Sequence, residues 1–217
     1  MVSPVSTRFK GEEARYLLDK TTATALLVDD AFVGGLLGAD PLEALGNPQV
    51  QVLRTSSLEE FLAGGAGVSD EVVEKLAAAV GEDDASDIIF TSGTTGKPKG
   101  VVATHGQSCG IFQTWADTVG FREGERMLVV APFFHTFGYK AGIIACLVKG
   151  ATIVPQPVFD VPQVMQRIPE ERITMLPGPP SIYQTILDHP RRAEFDLSSL
   201  RLAVTGAAPV SVELVRR

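Results

Sequence analysis

Residues Thr91 to Gly100 read TSGTTGKPKG, and this run constrains the chain more than any other. Four hydroxyl side chains (Thr91, Ser92, Thr94, Thr95), three glycines (Gly93, Gly96, Gly100) and two lysines (Lys97, Lys99) fall within ten residues. A phosphate tail needs hydrogen-bond donors, close backbone approach and positive charge, which hydroxyls, glycines and lysines supply in that order. Asp87-Ile88-Ile89-Phe90 before it reads as a buried strand, and Val101-Val102-Ala103-Thr104-His105 after it returns to apolar character. The spacing is not that of the common P-loop, which sets four residues between its glycines and then Lys and Ser/Thr. Here two residues separate Gly93 from Gly96, and Pro98 follows Lys97. A polar hairpin at a sheet edge is the alternative, but a turn alone needs neither four hydroxyls nor two lysines.

Around this run the chain alternates helical and extended patterns, which implies an α/β fold with a mostly parallel sheet flanked by helices. Helices are expected at Gly11–Lys20, Ser69–Val80 (Ser69 capping, Gly81 stopping), Thr104–Val119 (Thr104 capping), Tyr139–Val148, part of Val161–Glu170, Pro180–Leu187 and from Val210 onward. Strands are expected at Ala25–Val28, Arg126–Ala131, Thr152–Val154, Ile173–Leu176 and Leu202–Val204. The weakly periodic stretch 33–67 reads as loops, with a strand near Val50–Leu53 and a short helix near Leu58–Leu62.

Composition narrows the partners. The 217 residues carry a net charge of −7, and basic residues are scattered apart from Lys97/Lys99 and Arg191-Arg192, so there is no electrostatic footprint for nucleic acid. Cys109 and Cys146 lack metal-ligand spacing and sit among apolar neighbours, which suggests two buried free thiols and no metal site. The opening Met1-Val2-Ser3-Pro4 lacks the regions of a signal peptide, and the longest apolar run, Ala141 to Val148, falls short of the about 18 residues of a membrane span. A cytoplasmic protein acting on a small molecule is the expectation, with its oligomeric state open.

Three further motifs lie where a strand gives way to a helix, the position at which α/β folds place ligands. The first is Ala131 to Gly142, APFFHTFGYKAG, with His135 in an aromatic cluster. Phe134, Phe137 and Tyr139, with Gly138 between them, either line a pocket or fill the core. Lys140 either faces the cleft or, as the favoured reading, solvent. The second is Leu176 to Tyr183, LPGPPSIY, where Gly178 and Pro179 set a rigid turn. The third is Val204 to Ser211, VTGAAPVS, whose small residues Gly206, Ala207, Ala208 and Pro209 would let a planar base lie close to backbone.

Together these segments resemble the adenylate-forming (AMP-binding) superfamily: acyl-CoA synthetases, aryl-CoA ligases, luciferases and peptide-synthetase adenylation domains. The resemblance implies that Thr91, Ser92, Gly93, Thr94, Thr95, Gly96, Lys97 and Lys99 grip the phosphates of ATP. It implies that Gly206, Ala207, Ala208 and Pro209 pack on adenine. His135 would act as the catalytic residue, approaching the reacting carboxylate through positioning and electrostatics without covalent attack. Phe134, Phe137, Gly138, Tyr139, Gly178 and Pro179 would border the acyl chain. Within the superfamily the His135 stretch resembles bacterial fatty-acid-CoA ligases, and the PVSTRFKG opening (Pro4 to Gly11) is similar to an actinobacterial branch acting on steroid-derived propanoate side chains. The alternatives are a peptide-synthetase adenylation domain, for which no acidic residue near His135 stands out, or a truncated non-catalytic nucleotide-binding remnant.

The implied reaction uses ATP, Mg²⁺ and coenzyme A as cosubstrate. The family's aromatic-Gly-x-Thr-Glu motif does not occur in this sequence, nor do its ribose-binding aspartate and its small C-terminal domain. The resemblance therefore reads residues 1–217 as a partial N-terminal AMP-binding domain cut at both ends, with 1–82 preceding the phosphate loop and 83–217 carrying the motifs. It implies that these residues alone have no useful ligase activity.

Overall fold

In a computed structural model of the chain, residues 1–30, 49–91, 96–206 and 208–217 are described. Residues 33–48 of the expected loop stretch, Ser92 to Thr95 and Ala207 lie outside the described residues. The chain divides into two compact units, Met1–Val102 and Ala103–Arg217.

In the first unit, α1 (Gly11–Thr21) turns Ala14, Leu17 and Leu18 to one side, the i, i+3, i+4 stripe of an amphipathic helix. The left-handed Thr22 ends it. Ala14 and Leu18 of that stripe pack on Leu26 and Val28 of β1 (Ala25–Val28) and on Val50, which leads into β2 (Gln51–Arg54). The two strands pair in parallel, Ala25 opposite Gln51. Helices α2 (Leu58–Gly64) and α3 (Asp70–Ala78) follow, and β3 (Ala85–Thr91) then neighbours β4 (Lys99–Thr104) in a two-stranded sheet. Val2 adds a short parallel bridge to β3 at Asp87.

Two expectations fail at α3. Ser69 occupies the N-cap position, but its side chain makes no capping bond. The helix closes at Ala78, because tight i→i+3 bonds from the Ala79 and Val80 amides end it before Gly81. The Gly81 amide instead bonds the Asp84 carboxylate at 2.7 Å.

The second unit opens with α4 (His105–Val119). Thr104 and Gln107 cap it reciprocally, at 3.2 Å and 3.1 Å, and the left-handed Gly120 stops it. A four-stranded sheet follows in the order β6-β5-β7-β8: β5 (Arg126–Val129), β6 (Thr152–Pro155), β7 (Met175–Gly178) and β8 (Leu202–Thr205). Every pairing in it is parallel. Between strands run a π-helix (Phe137–Ile144), α5 (Ala145–Lys149), α6 (Val161–Glu170) and α7 (Pro180–Leu187), and α8 (Val212–Arg216) comes last.

Strand alternation divides the core between the two faces of this sheet. Leu128 and Leu176 meet Val164, Met165 and Ile168 of α6 and Ile182 and Ile186 of α7. Met127, Val129 and Met175 meet Ala116 of α4 and Cys146 of α5. All four residues of β7 are buried, as both-face coverage demands of a central parallel strand.

β5 and β7 differ most from the expected strand limits. β5 stops at Val129, whose carbonyl takes the last ladder bond, from Gln156 at 3.0 Å. β7 starts at Met175 because the Ile173 amide bonds back to Ile168 at 2.9 Å, finishing the turn out of α6. α6 is helical throughout, with Asp160 accepting from the Gln163 amide at 3.0 Å. Of the two cysteines, both are free, but only Cys146 is buried. Cys109 directly follows buried Ser108, about 100° around the helix from α4's inward stripe, and is exposed.

Candidate active site

Because β5, β7 and β8 are parallel neighbours, their carboxyl ends lie side by side along one edge of the sheet. His135 follows β5, Pro179 follows β7 and Gly206 follows β8. Gly178 is the register partner of Thr205, so the second and third strand-end motifs leave the sheet level with each other. The opposite edge is stapled by charge. Arg201 forks onto the Glu125 carboxylate at 2.7 Å and 2.6 Å and reaches the Gly120 carbonyl at 2.6 Å.

The His135 turn is fixed by its own backbone. The His135 amide donates to the Pro132 carbonyl at 3.0 Å, and the Tyr139 amide to the His135 carbonyl at 2.9 Å. The Phe137 amide donates to His135 Nδ1 at 3.2 Å. With Nδ1 occupied as an acceptor and His135 exposed, Nε2 is the ring nitrogen left to meet a bound oxygen.

The helix that follows is widened by i→i+5 bonding, a geometry frequent at functional sites. Gly138 permits its start. A Cβ there would lie 2.2 Å from the Pro132 carbonyl oxygen and 2.5 Å from that of Ala131. Phe134, Phe137 and Tyr139 are half-buried. Lys140 corrects the solvent-facing expectation: it is 5% exposed, and its Nζ donates to the buried Ser108 hydroxyl at 2.5 Å.

At the other two strand ends, Gly178 is buried against Ile182, while Pro179 occupies the N-cap position of α7 and is exposed. Gly206, Ala208 and Pro209 are exposed. The Thr205 hydroxyl is buried without a hydrogen-bond partner among the described residues. Tyr183 of α7 lies against both strands, its hydroxyl 2.5 Å from the Leu176 carbonyl and 2.9 Å from that of Val204. Burial raises this phenol above its ordinary value, outweighing the backbone hydrogen bonds that pull it down. Tyr183 closes a motif that was legible in the sequence, but its bracing role was not.

The described part of the Thr91–Gly100 run belongs to the first unit. Thr91 ends β3, exposed, with its hydroxyl 3.5 Å from the Lys99 carbonyl. Gly96 has φ +95°, a conformation that favours glycine. Lys97 and Lys99 are both exposed, and Lys99 already opens β4. A residue that sequence reasoning missed, Tyr16 of α1, contacts this limb. Its hydroxyl donates to the Pro98 carbonyl at 3.2 Å, and the Lys97 ammonium lies 5.5 Å from its ring centroid. No group of three or more His, Cys, Asp or Glu able to hold a metal occurs among the described residues, and none of their helices is long and apolar enough to cross a membrane.

The profile of the AMP-binding enzyme family matches residues 1–217. The chain belongs to this family. A 3-[(3aS,4S,7aS)-7a-methyl-1,5-dioxo-octahydro-1H-inden-4-yl]propanoyl:CoA ligase of Mycobacterium tuberculosis is 48% identical over 100% of the chain and 44% of its own length. The ligase of the same name from Rhodococcus jostii is 45% identical over 99% of the chain and 44% of its length. Among solved structures, the inhibitor-bound N-terminal domain of FACL13 from M. tuberculosis superposes with a TM-score of 0.80 at 30% identity, covering 98% of this chain and 52% of that one. The chain thus spans under half the length of these curated relatives. The AMP-binding relatives are coenzyme A ligases, and the peptide-synthetase alternative gains nothing from them.

Proposed function

We propose that the chain is the nucleotide- and acid-binding part of an ATP-dependent acyl-CoA synthetase, an acid–thiol ligase. One observation carries the reading: three strand-end motifs, at His135, Gly178-Pro179 and Gly206 to Pro209, leave one carboxyl edge of a parallel sheet, where open α/β sheets bind ligands. The Thr91–Gly100 run in the same chain supplies what a triphosphate requires. The positive φ of Gly96 and the exposure of Lys97 and Lys99 fit that use.

In this reading a carboxylate attacks the α-phosphorus of ATP, pyrophosphate leaves, and the thiol of coenzyme A then displaces AMP from the acyl-adenylate. Catalysis of this kind rests on positioning and charge neutralisation. Thr91, Ser92, Thr94 and Thr95, with Lys97 and Lys99, hold the phosphates that Mg²⁺ accompanies. Gly206, Ala207, Ala208 and Pro209 give adenine a flat backbone surface. His135 offers Nε2 to the reacting carboxylate. Phe134, Phe137, Gly138, Tyr139, Gly178 and Pro179 border the acyl group. Residues 1–217 correspond to a partial N-terminal AMP-binding domain, 1–82 leading to the phosphate loop and 83–217 carrying the motifs, of an enzyme working in the cytoplasm. The two ligases similar to this chain at 48% and 45% identity suggest its acid, a propanoate borne on a fused-ring skeleton.

The test is acid-dependent exchange of labelled pyrophosphate into ATP by a protein carrying this chain. Exchange that requires a fused-ring propanoate and is lost in His135→Ala supports the proposal. No exchange with any fused-ring, aryl or aliphatic acid refutes it.

A further inference from the structure

The limb that follows Gly96 is held from outside the loop. Its two contacts with Tyr16 differ in kind: the phenol hydroxyl donates to the Pro98 carbonyl at 3.2 Å, and the ring face lies 5.5 Å from the Lys97 ammonium. Tyr16 is presented by a well-anchored helix, since its neighbour Leu17 and the nearby Ala14 are each 1% exposed. The limb itself has one bend at Gly96, with φ +95°, and one stiff residue at Pro98. A third constraint, on the Pro98 carbonyl, fixes how Lys99 enters β4. A free lysine loses rotamer freedom when it closes on a phosphate, and a ring beneath its ammonium limits that freedom beforehand.

We propose that Tyr16 is a positioning residue for the phosphate loop, setting the Lys97-Pro98-Lys99 limb so that affinity for the triphosphate tail, but not for AMP, depends on it. The proposal rests on reading Thr91–Gly100 as the phosphate loop. It assigns the residue a role in nucleotide selectivity that its place on a distant helix gave no sign of.

The full chain, Tyr16→Leu, Tyr16→Phe and the double variant Lys97→Ala/Lys99→Ala are titrated calorimetrically with Mg-ATP and, separately, with AMP. Tyr16→Leu is expected to weaken ATP about threefold to tenfold while leaving AMP within about twofold. Tyr16→Phe keeps the ring and loses only the hydroxyl contact, so its ATP loss is smaller. Thermal midpoints are compared alongside; if Tyr16→Leu fails to fold, Tyr16→Phe alone decides. ATP affinity unchanged in the Tyr16 variants, or ATP and AMP weakened equally, overturns the proposal. If instead the double lysine variant binds ATP as the wild type does, or the wild type binds no ATP, the phosphate-loop reading fails and takes the proposal with it.

Discussion

The Tyr183 hydroxyl lies 2.9 Å from the Val204 carbonyl of β8 and 2.5 Å from the Leu176 carbonyl of β7, so one side chain of α7 braces two adjacent strands just before their motif-bearing ends. Tyr183→Phe removes both contacts and leaves the Leu176 and Val204 carbonyls short of a donor. The loss expected is about 1–2 kcal/mol of stability, read by urea unfolding. The same burial gives a pH signature. The folded-state pKa is raised, so the contribution is fully present below the ordinary tyrosine range and is lost as pH rises above it. Wild type should therefore lose more stability than Tyr183→Phe between about pH 9 and pH 11; parallel curves would show that the phenol is not buried.

Glu125 makes the opposite prediction with acid. Burial works to raise its carboxyl, yet the hydrogen bonds from Arg201 and the Arg122 amide outweigh burial and hold it below its ordinary value of 4.5. Its contribution is thus present above that value and is lost as pH falls through the lowered one. Glu125→Gln is expected to cost about 1.5–3 kcal/mol at neutral pH and to flatten the acid limb of the stability profile. An unchanged acid limb would remove this pair from the account.

The cysteines should separate chemically. Burial pushes the Cys146 thiol up to about 12, and its sulfur packs 3.9 Å from the Met127 sulfur, whereas Cys109 is exposed. A disulfide reagent at neutral pH is expected to titrate one thiol in the native chain and two in denaturant. Two rapid native thiols would mean that α5 does not pack on β5.

The parallel sheet and its helices were legible because the signals are local and repeated. Thr104 capping α4 and the proline opening α7 each act within one turn of their own helix. The strand-end motifs were legible for the same reason, since glycine and proline mark turns wherever they occur. What escaped depended on phase or on distance. Lys140 sits inside the widened helix, where a 3.6-residue period no longer tells inside from outside, and it is buried beside Ser108. Tyr16 meets Pro98 across 82 positions, and Tyr183 meets Val204 across 21. Neither pairing leaves a mark in the neighbouring residues.

Titration of the chain with Mg-ATP, beside Lys97→Ala/Lys99→Ala, reads out whether Thr91–Gly100 binds the phosphates of a nucleotide. Saturable one-to-one binding that weakens about tenfold or more in the variant is the expected result, since two charge-assisted contacts are lost. Equal affinity in both proteins would contradict a phosphate-binding role for the run.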